Sequence, residues 1–180
     1  MRAAGDGAVE TLAVIKPLSK TQQLTQHASA QLAVLLLKKK LKLVTAESCT
    51  GGLIAAACTN LAGSSAWFER GFVTYSNAAK TELLGVDEAL LLRDGAVSAS
   101  VALAMVQGAL AQSHAQVAVS VTGVAGPSGG SIAKPVGTVW FGLAVPGQII
   151  TEVCRFDGER AAVRSASVQH ALKRLVALLG

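Results

Sequence analysis

Leu43-Val44-Thr45-Ala46-Glu47-Ser48-Cys49-Thr50-Gly51-Gly52-Leu53-Ile54 is the stretch on which the reading of this chain turns. Leu43 and Val44 read as the end of a buried strand. The polar cluster Glu47-Ser48-Cys49-Thr50 stops that run, and Gly51 and Gly52 lead into the apolar, helix-like segment Leu53 to Cys58. Strand, tight turn and helix N-terminus in that order carry side chains to the carboxyl edge of a sheet, where open α/β folds place their sites. The two glycines permit a sharp turn and a close approach of backbone to ligand. Free N–H groups at the helix start suit anionic groups and developing oxyanions. Ser48 therefore has two readings, a nucleophile or an ordinary helix N-cap.

Working outward, Leu24, Ala28, Leu32, Leu35 and Leu36 recur at helical spacing and predict a helix over 21–40. Residues 1–20 contain glycines and Pro17 and have no sustained period, so they read as a flexible N-terminal extension to a single domain over 21–180. Downstream, the helix of the opening stretch runs to about Leu61. The loop Ala62-Gly63-Ser64-Ser65 follows, and then a strand from Gly71 to Tyr75. Ser76-Asn77 opens a short helix that carries Lys80 and stops at Gly85. Another short helix runs from Asp87 to Arg93, and Ser98 caps a longer one to about Ser113.

Val117 to Val121 is an apolar strand in the style of a buried parallel sheet. It runs into the glycine-rich loop Thr122 to Gly130. Strands over 137–145 and 149–156, separated by Pro146-Gly147, form an antiparallel hairpin, and a last helix spans 159–179. Helices between strands imply a mostly parallel sheet covered on both faces, with one antiparallel member from the hairpin.

Composition bounds the function. The 180 residues suit one domain with a well-buried core. Only 4% are aromatic and 15% charged, against a usual quarter, which predicts close packing through small side chains and a surface partly covered in a homo-oligomer. The net charge of +5 is concentrated at Lys38, Lys39, Lys40 and Lys42, where cations complement a helix C-terminus. With no aromatic residues interleaved, that run does not make a nucleic-acid surface. Three cysteines without C-x-x-C spacing argue against a disulfide framework or a zinc site and fit a reducing cytoplasm. No apolar run reaches the ~18 residues of a membrane span, and no signal pattern opens the chain.

Three predicted strand ends deliver reactive groups to one sheet edge: Ser48, Tyr75 and Thr122. Lys80 lies on the first turn of a helix starting there. His27, His114 and His170 all fall in or at the end of helices, so a Ser-His-Asp triad is not expected. A Ser-Lys pair needs a neutral amine, hence a pKa well below the ~10.4 of an exposed lysine. Lys80 is thus either a buried base or a surface helix residue. Cys49 is the rival nucleophile, and Glu47 either orients Lys80 or a substrate amide, or caps the turn. Arg155, Arg160 and Arg164 oppose the dipole of the last helix, which asks for a bound phosphate or a carboxylate partner.

These segments together resemble the CinA carboxy-terminal domain family of nicotinamide-nucleotide amidohydrolases. The resemblance is carried by Thr45 to Gly52, Gly63-Ser64-Ser65 with Trp67-Phe68, Tyr75-Ser76-Asn77 with Lys80, and Leu84-Gly85-Val86. It continues through Gly95 to Ser98, Thr122 to Pro127, Gly129-Gly130, Lys134 to Val139, and Phe156-Gly158-Arg160 with Arg164, and covers roughly 24–180. It implies a three-layer α/β/α sandwich with a mixed, mostly parallel five-stranded sheet, in a stand-alone form without the additional domain of longer members. The implied activity is hydrolysis of the carboxamide of nicotinamide mononucleotide to nicotinate mononucleotide and ammonia, with neither metal nor cofactor.

By the same resemblance Ser48 is the nucleophile and Lys80 the base, with Tyr75 and Thr122 assisting. Backbone N–H groups around Thr50, Gly51 and Gly52 are expected to form an oxyanion hole, and Glu47 to contact substrate. The phosphate is expected against Gly63, Ser64 and Ser65 or against Gly126, Gly129 and Gly130, with Arg160 nearby. The competing readings are a non-catalytic nucleotide-binding or interaction module that keeps the pocket, and a Cys49-dependent amidase.

Overall fold

The computed structural model describes residues 17–180, so most of the extension expected over 1–20 lies outside the described residues. What precedes the first helix is ordered by its cap. Ser19 and Gln22 form a reciprocal capping box, and α1 spans Lys20–Lys39. β1 (Leu43–Glu47), α2 (Leu53–Thr59), a 3₁₀ turn (Ser64–Ala66), β2 (Phe68–Val73), α3 (Asn77–Leu84), α4 (Glu88–Asp94) and α5 (Ala99–Ala111) follow. β3 (Val117–Gly123), β4 (Thr138–Val145), β5 (Gln148–Arg155) and α6 (Arg160–Leu179) complete the chain.

The five strands lie in the order β2-β1-β3-β4-β5. β1 pairs in parallel with both β2 and β3, while β4 is antiparallel to β3 and to β5. Four strands therefore run one way and β4 alone runs the other, which is the mixed sheet expected from the hairpin.

Strand alternation sorts side chains between two cores. Leu43, Val117, Val119, Val121, Phe141 and Leu143 face the layer of α1, α2 and α6, where they meet Leu32, Leu36, Ile54, Leu172 and Leu175. Val44, Ala46, Ala118 and Ala144 face α3, α4 and α5, against Leu84, Val101, Met105 and Val106. Each fully buried leucine or valine contributes roughly 1.5–3 kcal/mol. The second face is lined by small residues, as the composition suggested, and α5 lies close upon it. A Cβ on Gly142 would meet the Ala102 carbonyl oxygen at 2.5 Å. Ser120 bridges the two elements there, its Oγ donating to the Ala102 carbonyl and accepting from Gly142 N–H.

Two expectations shift. β2 begins at Phe68 rather than Gly71 and ends before Tyr75, because Leu43 N–H already bonds the Trp67 carbonyl and the parallel register starts there. The polar pair Glu69-Arg70 on this edge strand hides its start in the sequence. Leu24 is 41% exposed instead of joining the apolar stripe, since α1 meets the core only from Ala28 onward.

Candidate functional site

Ser48 continues the β1 ladder by one residue, its N–H donating to the Val121 carbonyl at 2.9 Å, and so stands beside Thr122 at the carboxyl edge. In the alternation it follows Val44 and Ala46, so its side chain turns toward the layer of α3. Ser76 caps α3 by accepting from Ala79 N–H, which sets Lys80 on the first turn with its side chain directed back under the strand ends. Lys80 is 1% exposed. Its Nζ donates to the Thr74 carbonyl at 2.9 Å and reaches the Ser76 carbonyl at 3.5 Å, with Ser48 Oγ 3.1 Å away.

No carboxylate pairs with Lys80 among the described residues. Desolvation by burial holds its pKa below the ordinary lysine value, opposed by the nearby Cys49. A neutral amine has two N–H groups and one lone pair. Once neutral, the amine would keep its two N–H groups for the Thr74 and Ser76 carbonyls and turn its lone pair to the Ser48 proton.

Glu47 faces the other way. Its fully buried carboxylate accepts from the N–H groups of Gly52 (3.0 Å), Ile54 (3.0 Å) and Ala55 (2.8 Å), so it caps α2 from inside the first layer. The structure does not bring Glu47, expected to contact substrate or orient Lys80, to Lys80 and Ser48: strand parity puts its carboxylate on the opposite face of the sheet, where it caps α2. The oxyanion expectation narrows for the same reason. Glu47 takes Gly52 N–H and the Ser48 carbonyl takes Gly51 N–H, so among the described residues the amides of Cys49 and Thr50 are the donors of the turn not bonded to another residue. Gly51 and Gly52 hold φ of +60° and +92°, conformations that side chains rarely adopt. Cys49 is buried among apolar residues of the first layer, and that burial pushes its thiol up to about 11. A neutral thiol is a poor nucleophile.

The remaining candidates divide. Thr122 is buried and donates its hydroxyl to the Ala96 carbonyl at 2.7 Å, so it clamps the segment between α4 and α5 rather than bonding Ser48 or Lys80. Tyr75 lies past the end of β2 and is exposed, and its hydroxyl accepts from Arg160 Nη2 at 2.7 Å. Arg160 Nη1 donates to the Gly126 carbonyl, so Arg160, Tyr75 and the loop carrying Gly126, Gly129 and Gly130 meet at the same edge as Ser48. Gly63, Ser64 and Ser65 do not. They precede β2, at the amino end of the parallel strands, about 15 Å from Ser48 by the length of β1. Within one chain the structure does not bring this loop to Ser48.

Arg160 and Arg164 pair with no carboxylate among the described residues. Arg160 takes a carbonyl and a phenol, and Arg164 Nη2 donates to the Thr50 carbonyl at 2.8 Å. Sequence reasoning missed the parts played by main-chain atoms: the Thr74, Ser76 and Ala96 carbonyls carry no side-chain signal. Lys134 was also passed over. Its Nζ bonds the Asp94 carbonyl and ties the glycine-rich loop to the end of α4. A groove of about 390 Å³ between α1, α2 and α6, lined by Leu18, Gln22, Leu53, Ala57 and Val168, contains none of the candidate residues.

Comparison with known proteins agrees with this architecture. The chain is 59% identical over 136 residues to the nicotinamide-nucleotide amidohydrolase PncC of Enterobacter agglomerans, covering 73% of this chain and 83% of the relative. It is 57% identical to the protein of the same name from Pseudomonas putida, covering 76% and 86%. Among solved structures, a CinA superfamily protein from Escherichia coli superposes with a TM-score of 0.84 at 37% identity, covering 92% of this chain and 95% of that one. The competence/damage inducible protein CihA of Agrobacterium tumefaciens gives 0.81 at 45%, covering 92% and 99%. The family model of the CinA C-terminal domain matches residues 25–179, from the first helix to the last, and the chain belongs to that family.

Proposed function

We propose that this protein hydrolyses the carboxamide of nicotinamide mononucleotide, releasing nicotinate mononucleotide and ammonia, with Ser48 as nucleophile and Lys80 as general base. The observation that carries the reading is the buried Ser48–Lys80 contact, with no carboxylate paired to the amine among the described residues. The bacterial relatives, named as nicotinamide-nucleotide amidohydrolases, support the substrate class.

In this scheme the Lys80 amine takes the Ser48 hydroxyl proton as Oγ bonds to the amide carbon. The carbonyl oxygen becomes an oxyanion facing the Cys49 and Thr50 amides, each such donor being worth roughly 3–4 kcal/mol. The C–N bond then breaks, and nitrogen leaves as ammonia with the proton from Lys80. A water gives its proton to Lys80 and attacks the ester carbon; the C–Oγ bond breaks, Ser48 regains its proton, and nicotinate mononucleotide departs. Thr122 and Tyr75 assist indirectly, Thr122 through the Ala96 segment and Tyr75 by aligning Arg160. The phosphate lies against the 126–130 loop and Arg160. A cytoplasmic homo-oligomer fits the low surface charge and the three free thiols.

Ammonia release from nicotinamide mononucleotide, with free nicotinamide as control, tests the reading. Release from the mononucleotide alone is expected. No release from either, by protein that is folded, would make the chain a binding module instead.

A further inference from the structure

We propose that Arg164 is a positioning residue for Ser48, acting through the Thr50–Gly51 peptide; the inference rests on the Ser48 amidase reading above. The turn between Ser48 and α2 is held from two sides. Its N–H side is gripped by Glu47, which satisfies Gly52, Ile54 and Ala55. Its carbonyl side is gripped by α6. Leu53 N–H approaches the Thr50 carbonyl only at 3.3 Å, whereas Arg164 Nη2 donates to it at 2.8 Å. A charge-assisted bond at that distance is the stronger of the two.

The grip is rigid because α6 is anchored. Val163, Ser167, Leu172 and Leu175 around and beyond Arg164 are fully buried. A Cβ on Gly51 would lie 3.4 Å from Arg164 Nη2, so the guanidinium stands over the face of the turn that a side chain at 51 would occupy.

The peptide that Arg164 holds cannot rotate alone. Its nitrogen is the Gly51 N–H, which donates to the Ser48 carbonyl at 3.0 Å. Turning the Thr50 carbonyl away from Arg164 would carry that N–H off Ser48 and re-aim the Cys49 and Thr50 amides. Arg164 also has a cost that a purely structural residue would not carry. It forms no ion pair among the described residues, its Nε is buried without an acceptor, and its charge stands near the N-terminus of its helix.

The test compares wild type with Arg164→Lys and Arg164→Met. Steady-state kinetics are run on nicotinamide mononucleotide and on nicotinamide riboside, and Ser48 labelling by a small sulfonyl fluoride is followed by mass spectrometry. A misaimed turn should lower kcat for both substrates by the same factor, about 10²-fold, the size seen on losing one oxyanion donor. KM for the mononucleotide should stay within about threefold, the labelling rate should fall in parallel, and millimolar guanidinium should restore part of both in Arg164→Met. Unchanged kcat and labelling in the variants would overturn the proposal. So would a loss confined to KM for the mononucleotide, which would make Arg164 a phosphate ligand. If Arg164→Met does not fold, the kcat and labelling rate of Arg164→Lys decide alone. Labelling needs no nucleotide, so a wild type inactive on the mononucleotide would sink the proposed substrate while the labelling comparison still decides the role of Arg164.

Discussion

Glu47 and Ser48 are consecutive in the chain, yet their side chains belong to opposite layers of the molecule. Glu47 reaches into the α1–α2–α6 layer to cap α2, and Ser48 turns toward α3, 3.1 Å from the Lys80 amine. The period-2 alternation of β1 separates the two groups. One residue builds the turn and the next presents a hydroxyl on it.

Ser48→Ala should abolish ammonia release and leave the melting temperature nearly unchanged, since only one hydroxyl at the end of a strand is removed. Cys49→Ala should keep most of the activity, because the buried thiol is neutral at working pH. The reverse pattern in a deamidation assay of the two variants would transfer the nucleophile to Cys49.

For Lys80, activity should rise with pH along a limb whose midpoint lies below the ordinary lysine value, because burial depresses the folded pKa. Lys80→Arg should lose at least about 10²-fold in kcat, the lower range for a general base, since guanidinium does not deprotonate here. Stability carries the matching sign. Between the folded and unfolded pKa values the unfolded chain binds more protons, so stability rises with pH. The destabilising effect grows as pH falls below the unfolded value and levels off below the folded one. Urea titrations over this range should show the slope in wild type and lose it in Lys80→Met.

Nicotinamide riboside should be a much poorer substrate than the mononucleotide. Arg160→Ala should raise KM for the mononucleotide by about tenfold, the loss of one charge-assisted contact of roughly 1.5 kcal/mol, with little effect on the riboside. Equal specificity constants for the two substrates in wild type would remove the phosphate from the 126–130 loop.

Glu47→Gln should cost about 1–3 kcal/mol, because one face of the amide cannot accept and leaves a buried N–H of α2 without a partner. Chemical denaturation measures this directly. Stability within a few tenths of wild type would mean that another acceptor replaces the carboxylate.

Much of this protein can be read from its residues one segment at a time. The helix starts at Ser76 and Ser98 are visible because a hydroxyl before an apolar run satisfies free N–H groups, and both serines do cap their helices. The strand run Val117 to Val121 and the Pro146-Gly147 turn predict the single antiparallel strand, β4, for equally local reasons. Ser48 and Lys80 could be nominated because strand order places their elements at one edge.

What local chemistry could not decide was which groups meet. The Ser48–Lys80 contact spans thirty-two positions and depends on how α3 packs beneath the strand ends. Strand parity assigns Glu47 its face, and the register places Gly63 to Ser65, one of the two loops offered for a phosphate, at the amino edge. The Thr74 and Ser76 carbonyls that hold Lys80, and the Thr50 carbonyl that holds Arg164, belong to the backbone that every residue shares. A sequence specifies side chains and their local propensities, whereas the direction of a carbonyl in a turn is set only when the layers on both sides have packed.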